Sequence, residues 1–212
     1  MDRAADDSED LIRRAAAGDE AVLGALWERH RARLRQMVRL RLDRRFQGRV
    51  DPSDVLQDAY LDLATRLPDY ARDRPMPTYL WLRLVTGQRL VQVHRQHLGA
   101  AMRDAGREVS LYRGALPQAS SASLAAQLLG RFTTASQAAI RAERQLQLQA
   151  VLNGLDETDR EILALRHFEE LTNGEAAQVL SLSKTAANNR YIRALGRLRD
   201  LLGRVPGFFD QG

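Results

Sequence analysis

The stretch SLSKTAANNRYIRALGRLR, Ser181–Arg199, decides how the rest of the 212-residue chain is read. Ser183 is a residue type that caps helix N-termini, its hydroxyl accepting from the free N–H groups of the first turn, and a helical period follows it. The stretch holds Lys184, Arg190, Arg193, Arg197 and Arg199 and no acidic residue, and Asn188 and Asn189 stand side by side among them. Just upstream, Thr172 and Glu175 have the T-x-x-E spacing of a capping box at the head of EAAQVLSL. Two capped helices flank a short turn at Ser181–Ser183. Small Ala177 sits where they approach, with Leu180, Leu182 and Ala187 inside, and the pattern predicts a helix-turn-helix.

The second helix of such a motif enters the major groove with its N-terminal end, where Lys184, Thr185, Asn188 and Asn189 lie. An Asn amide can pair with adenine N6 and N7 through two hydrogen bonds. Arg190, Arg193 and Arg197 continue along the flank, where guanidinium groups suit phosphates. A solvated Arg-rich helix is the plain alternative, but it leaves the capped partner helix unexplained.

Working outward, the C-terminal pattern adds a helix from Ile140 to Gly154 and a second one that Asp156 caps ahead of ETDREILALRHFEE, giving a four-helix domain over residues 140–204 and a tail at 205–212. Residues 99–139 weaken into Ser, Ala, Gln and Gly, in LPQASSASLAAQ and FTTASQ, and read as a flexible linker with one short helical piece. Residues 1–98 read as a first helical domain. Its opening helical period runs through Leu11, Ala15, Val22, Leu23, Leu26, Trp27 and Leu34. Asp51, Pro52 and Asp54 then start a helix in the order N-cap, first position, first turn. That helix buries Val55, Leu56, Ala59, Tyr60 and Leu63 and leaves Asp54, Gln57, Asp58 and Asp62 as an acidic, hydrogen-bonding stripe. A proline-bounded loop from Pro68 to Pro77 and a helix from Thr78 to about Leu98 complete the domain. Trp81 and Tyr79 can be read as base-stacking groups, but at helical spacing with Leu82 and Val85 a core role is favoured for Trp81.

Composition agrees: 44% apolar, 6% aromatic and 28% charged residues, rich in Ala, Leu, Arg and Gln, predict an all-α protein of two small domains joined by a linker. With no cysteine, disulfides and thiolate chemistry are excluded. No apolar run approaches the roughly 20 residues of a membrane span, and the acidic start MDRAADDSED is unlike a signal peptide, so a cytoplasmic protein is expected. The four histidines, His30, His94, His97 and His167, are scattered, no glycine loop cradles a phosphate, and Asp58 and Asp62 have no catalytic company; neither an enzyme, nor a metal site, nor a cofactor is expected. Net charge is +5, but its distribution says more: nine Arg against one Asp from Arg29 to Arg49, then six Asp against two Arg from Asp51 to Asp73. Basic blocks divided by an acidic one imply two kinds of surface.

LDETDREILALRHFEELTNGEAAQVLSLSKTAANNRYIRALGRLRDLL resembles the minus-35-reading domain of extracytoplasmic-function (ECF) sigma factors. DPSDVLQDAYLDLATRLPDY is similar to that family's polymerase-binding helix and TYLWLRLVTGQRLVQVHRQHL to its minus-10 helix, while FQGRVDPSDVLQDAY followed by a long linker resembles the planctomycete-type branch. The resemblance implies a domain 1–98 that docks on core RNA polymerase through Asp54, Gln57, Asp58 and Asp62. It implies that the Tyr70–Pro77 loop, with Arg72 and Arg74, captures a flipped minus-10 base, and that Arg83, Gln88, Arg89, Gln92 and Arg95 meet upstream duplex. Gln88 and Gln92 stand where the family usually has Asn and Asp. The implied partners are core polymerase and promoter DNA, and an anti-sigma factor is one the family admits. The residues by themselves leave a second reading open, an autonomous helix-turn-helix regulator of transcription whose first domain senses or dimerises, and a third, a helical adaptor whose Arg faces bind acidic proteins.

Overall fold

A computed structural model of the chain describes residues 3–43, 48–98, 116–130 and 138–205. All secondary structure among these residues is helical, and the chain divides into two compact units, Met1–Leu116 and Pro117–Gly212. Much of the segment read as a linker, residues 99–115 and 131–137, lies outside the described residues, as does most of the tail, 206–212.

The first unit holds α1 (Arg3–Ala16), α2 (Glu20–Arg41), α3 (Pro52–Asp73) and α4 (Thr78–Leu98). The single period expected from Leu11 to Leu34 is broken into two helices. Gly18 takes a positive φ of 99° that other residues rarely adopt, and the Asp19 side chain then caps α2 by accepting from the Val22 N–H. Asp51 caps α3 through the Ser53 N–H at 2.7 Å, with Pro52 at the start and Asp54 in the first turn, as the sequence predicts. The core gathers Ile12, Leu26, Leu34, Met37, Leu56, Leu63, Leu67, Leu82 and Leu90, all nearly fully buried. Trp27 meets the edge of Tyr60 with ring centroids 5.6 Å apart. Gly87 is buried in α4, where an added Cβ would run into the Leu116 side chain.

One expectation is corrected here. The loop was placed from Pro68, yet α3 runs through Pro68 to Asp73. Proline lacks a donor and crowds the preceding turn, which argues for a break. Pro68 itself is exposed, and Leu67 and Tyr70 on the inner face are buried; their burial keeps the helix going past it. The loop is therefore only the four residues 74–77.

The second unit holds α5 (Ser121–Gly130), α6 (Ala138–Asn153), α7 (Glu157–Leu163) running into a π-helical turn (Ala164–Phe168), α8 (Asn173–Leu180) and α9 (Lys184–Leu202). Residues 121–130 are the one short helical piece expected within the linker, and that piece is packed rather than loose. They form a helix packed on α6 that buries Ala122, Leu124, Ala125 and Leu129. Ser120 caps it through the Ser123 N–H at 3.1 Å, and the Ala119 N–H donates to Glu161 of α7 at 3.0 Å. The Ser/Ala-rich composition that reads as linker is equally that of a small-residue helix with a cap, and the cap and the buried leucines decide it.

Candidate nucleic-acid interface

The helix-turn-helix is built by local chemistry. Thr172 and Glu175 form a complete capping box, each side chain accepting from the other's N–H, at 3.2 and 2.8 Å. At the turn Ser181 is left-handed, φ 54° and ψ 41°, and the Leu182 N–H returns to the Ala177 carbonyl at 2.9 Å. Ser183 caps α9 through the Ala186 N–H at 3.1 Å, and Asn173 Nδ2 donates to the Lys184 carbonyl at 2.8 Å, fixing the heads of both helices together. Close approach is allowed by alanines: Ala176, Ala177, Ala187 and Ala194 are buried, whereas Leu180 and Leu182 are half-buried.

The outer side of α9 presents Lys184, Thr185, Asn188, Asn189 and Arg193, all exposed. Ile192 joins them at 58% exposure on the stripe of Thr185, Asn188 and Asn189. Sequence reasoning missed it because an isoleucine at helical spacing reads as core. Arg190 and Arg197 behave differently. Arg190 lies 3.2 Å from Asp156 and 3.5 Å from Asp159, and Arg197 lies 2.6 Å from Asp159 and 3.7 Å from Asp156. Two of the three arginines expected on DNA phosphates thus hold α9 to the head of α7. The Asp156 carboxyl sits below its ordinary range, first because it accepts the Asp159 N–H and then because Arg190 and Arg197 favour its ionised form.

In the first unit Asp54, Gln57 and Asp58 are exposed along α3, as the stripe requires, and Leu61 lies among them at 62% exposure. Asp62 departs from the stripe. Its two oxygens accept from Arg89 Nη2 at 2.6 Å and Nε at 2.9 Å, so a residue expected on polymerase and one expected on DNA are paired with each other. The pair pushes the Arg89 pKa above its ordinary value. Beside it Arg66 Nη1 donates to Gln88 Oε1 at 2.6 Å. Gln92 and Arg95, further along α4, are exposed.

Two minus-10 assignments are corrected. Tyr70 is buried, stacks on Trp81 with ring centroids 4.2 Å apart, and donates towards the Met76 carbonyl at 2.9 Å. It braces the loop from behind and presents no face for a base. Arg83 is also buried, at 4% exposure, because its place on α4 turns towards the helices behind it. Arg72 is exposed and bonded to Asp69 at 2.9 Å and Asp73 at 3.2 Å, and Arg74 caps α3 in a left-handed conformation, φ 37°, 3.5 Å from Glu9. Among the described residues no group of three His, Cys, Asp or Glu side chains could hold a metal ion, and no helix is long and apolar enough to cross a membrane.

Comparison with known proteins agrees with this geometry. Residues 145–198 match the family described as Sigma-70, region 4. The chain is 28% identical over 196 residues, 92% of its length and 94% of the relative's, to RNA polymerase sigma factor NccH of Alcaligenes xylosoxydans xylosoxydans. It is 28% identical over 190 residues, 90% of its length and 81% of the relative's, to ECF RNA polymerase sigma factor SigD of Mycobacterium tuberculosis. The solved structure of CnrH in complex with the cytosolic domain of CnrY is similar at a TM-score of 0.54 and 25% identity, covering 92% of this chain and 96% of that one. The capped helix pair α8–α9, up to residue 198, therefore lies in a sigma-70 region 4 match, in an all-α chain that is similar along about nine-tenths of its length to RNA polymerase sigma factors, one of them of the ECF type.

Proposed function

We propose that this protein is an ECF-type sigma factor of the planctomycete-type branch, acting in the cytoplasm, that binds core RNA polymerase and directs initiation at specific promoters. The observation that carries the reading is the exposed, capped N-terminal end of α9, with Lys184, Thr185, Asn188 and Asn189, inside the segment that matches region 4. There the asparagines read minus-35 base edges and Lys184 and Arg193 contact phosphates. Asp54, Gln57 and Asp58 dock on polymerase, and Gln92, Arg95 and the 74–77 loop face the minus-10 element, with domain 1–98 for docking and melting and domain 140–204 for minus-35 recognition. CnrH is seen with the cytosolic domain of a second protein, and we assign an anti-sigma partner to this chain by that likeness.

The test is capture of core polymerase by the full-length protein, followed by transcription from promoter libraries by the reconstituted complex. Selective initiation is expected only when both are present. Tight, sequence-specific binding of duplex by the protein alone, with no capture of core polymerase, would establish the autonomous regulator instead.

A further inference from the structure

Two consecutive residues of α4 are pinned to two residues of α3 one turn apart. Arg89 grips Asp62 with two hydrogen bonds, and Gln88 accepts from Arg66. In the first pair the side chains are only 23% and 22% exposed. A bidentate arginine–carboxylate pair fixes the mutual plane of its groups as well as their distance. Packing of the buried side chains fixes how the two helices cross. The clasp adds a directional constraint on the rotation of α4 about its own axis against α3. Successive residues of a helix are about 100° apart, so a small rotation at Arg89 re-aims Gln92 and Arg95 on the following turns. Two of the five N–H donors of the Arg89 guanidinium are committed to this carboxylate, and turning the group onto a phosphate would break both bonds and leave Asp62 without its arginine.

We propose that Asp62 and Arg89 are positioning residues for the promoter-facing end of α4, and that neither side chain touches polymerase or DNA. The inference rests on the sigma-factor reading above. It reduces the docking stripe to Asp54, Gln57 and Asp58, around Leu61, and the minus-10 face of α4 to Gln92 and Arg95.

The experiment compares full-length wild type, Asp62→Arg, Arg89→Asp and the double exchange, each alone and with core polymerase, at a temperature where all four are folded. Melting temperature, affinity for core polymerase and discrimination between intact and minus-10-substituted promoters are measured. Each single reversal should lower the melting temperature and cost about tenfold in discrimination, with core affinity kept within about twofold, and the double exchange should recover both losses. Recovered stability with discrimination still lost would make Arg89 a direct DNA contact. Lost core affinity in the double exchange would return Asp62 to the docking surface. Undiminished discrimination in the singles would leave the clasp a purely structural feature. Each of these three outcomes overturns the proposal. Should a reversal fail to fold, Asp62→Asn and Arg89→Gln replace it, and combining them must then cost no more discrimination than either alone. Absence of core binding by wild type overturns the sigma-factor reading itself, whereas intact core binding without rescue overturns only this inference.

Discussion

At the scale of single residues, α9 separates exposed side chains, which the proposed function places on DNA, from side chains already engaged in ion pairs. Asn188 and Asn189 are exposed on the outer face, so replacing either with Ala should relax base preference at one minus-35 position by about 1–3 kcal/mol. Arg193→Ala should weaken binding to all sequences alike and lower the salt slope by roughly one. Binding titrations of the reconstituted complex on promoter variants at several salt concentrations distinguish the two; uniform loss from the asparagine variants would remove them from base reading. Asp159 is 3% exposed and takes Arg197 at 2.6 Å, so Asp159→Asn should destabilise the second unit by about 1.5–3 kcal/mol, measured by denaturant unfolding. These pairings also set a pH dependence. Asp19, Asp51 and Asp156 all have carboxyl pKa values below the ordinary range, in each case first because they accept an N–H at a helix start. A carboxyl depressed in the folded state stabilises it fully above the unfolded value of about 3.9 and loses that contribution as pH falls through the folded value. Melting temperatures should therefore hold above about pH 5 and fall below about pH 4, with a shallower fall in Asp156→Asn, which keeps a cap but cannot titrate.

At the scale of elements, α3 and α8 show how local rules and burial divide the work. The capping box at Thr172 and Glu175 and the caps at Asp51, Asp156 and Ser183 were all legible from residue type and spacing, because capping is a contact within three residues. Thr172→Ala should cost about 1 kcal/mol in unfolding free energy. Pro68 is the opposite case. Its residue type argues for an end to the helix, and only the burial of Leu67 and Tyr70 overrides it. Pro68→Ala should then raise stability by about 1–3 kcal/mol, since it restores a donor in a helix interior whose register is already fixed. A lower melting temperature in that variant would show that a bend at Pro68 is part of the packing. The same contest explains Tyr70 and Arg83, whose types suit a nucleic-acid surface while their places on α3 and α4 put them inside.

At the scale of the whole molecule, the two compact units and the assignment of α5 to the second make a prediction about truncation. A fragment from residue 117 contains α5 and the Ser120 cap, whereas one from residue 140 exposes the face of α6 that α5 covers. The longer fragment should unfold cooperatively, and the shorter one should be markedly less stable and bind hydrophobic dyes, as read by calorimetry and dye fluorescence. Equal stability of the two would mean that α5 contributes little to the unit's core.

The sequence by itself determined the helical class, the starts of α3, α7, α8 and α9, the helix-turn-helix and the exposed asparagines on it. Each of these follows from hydrogen bonds and periodicities that span only a few residues. It did not determine which charges are available to a partner. Asp62 and Arg89 are 27 positions apart, and Asp159 and Arg197 are 38 apart. Whether such residues face solvent, DNA or one another depends on how helices distant in sequence are rotated and packed. Charge type is written locally, but charge pairing acts through space over a few ångströms, so only the tertiary structure decided which arginines are held in ion pairs between helices and which are left exposed.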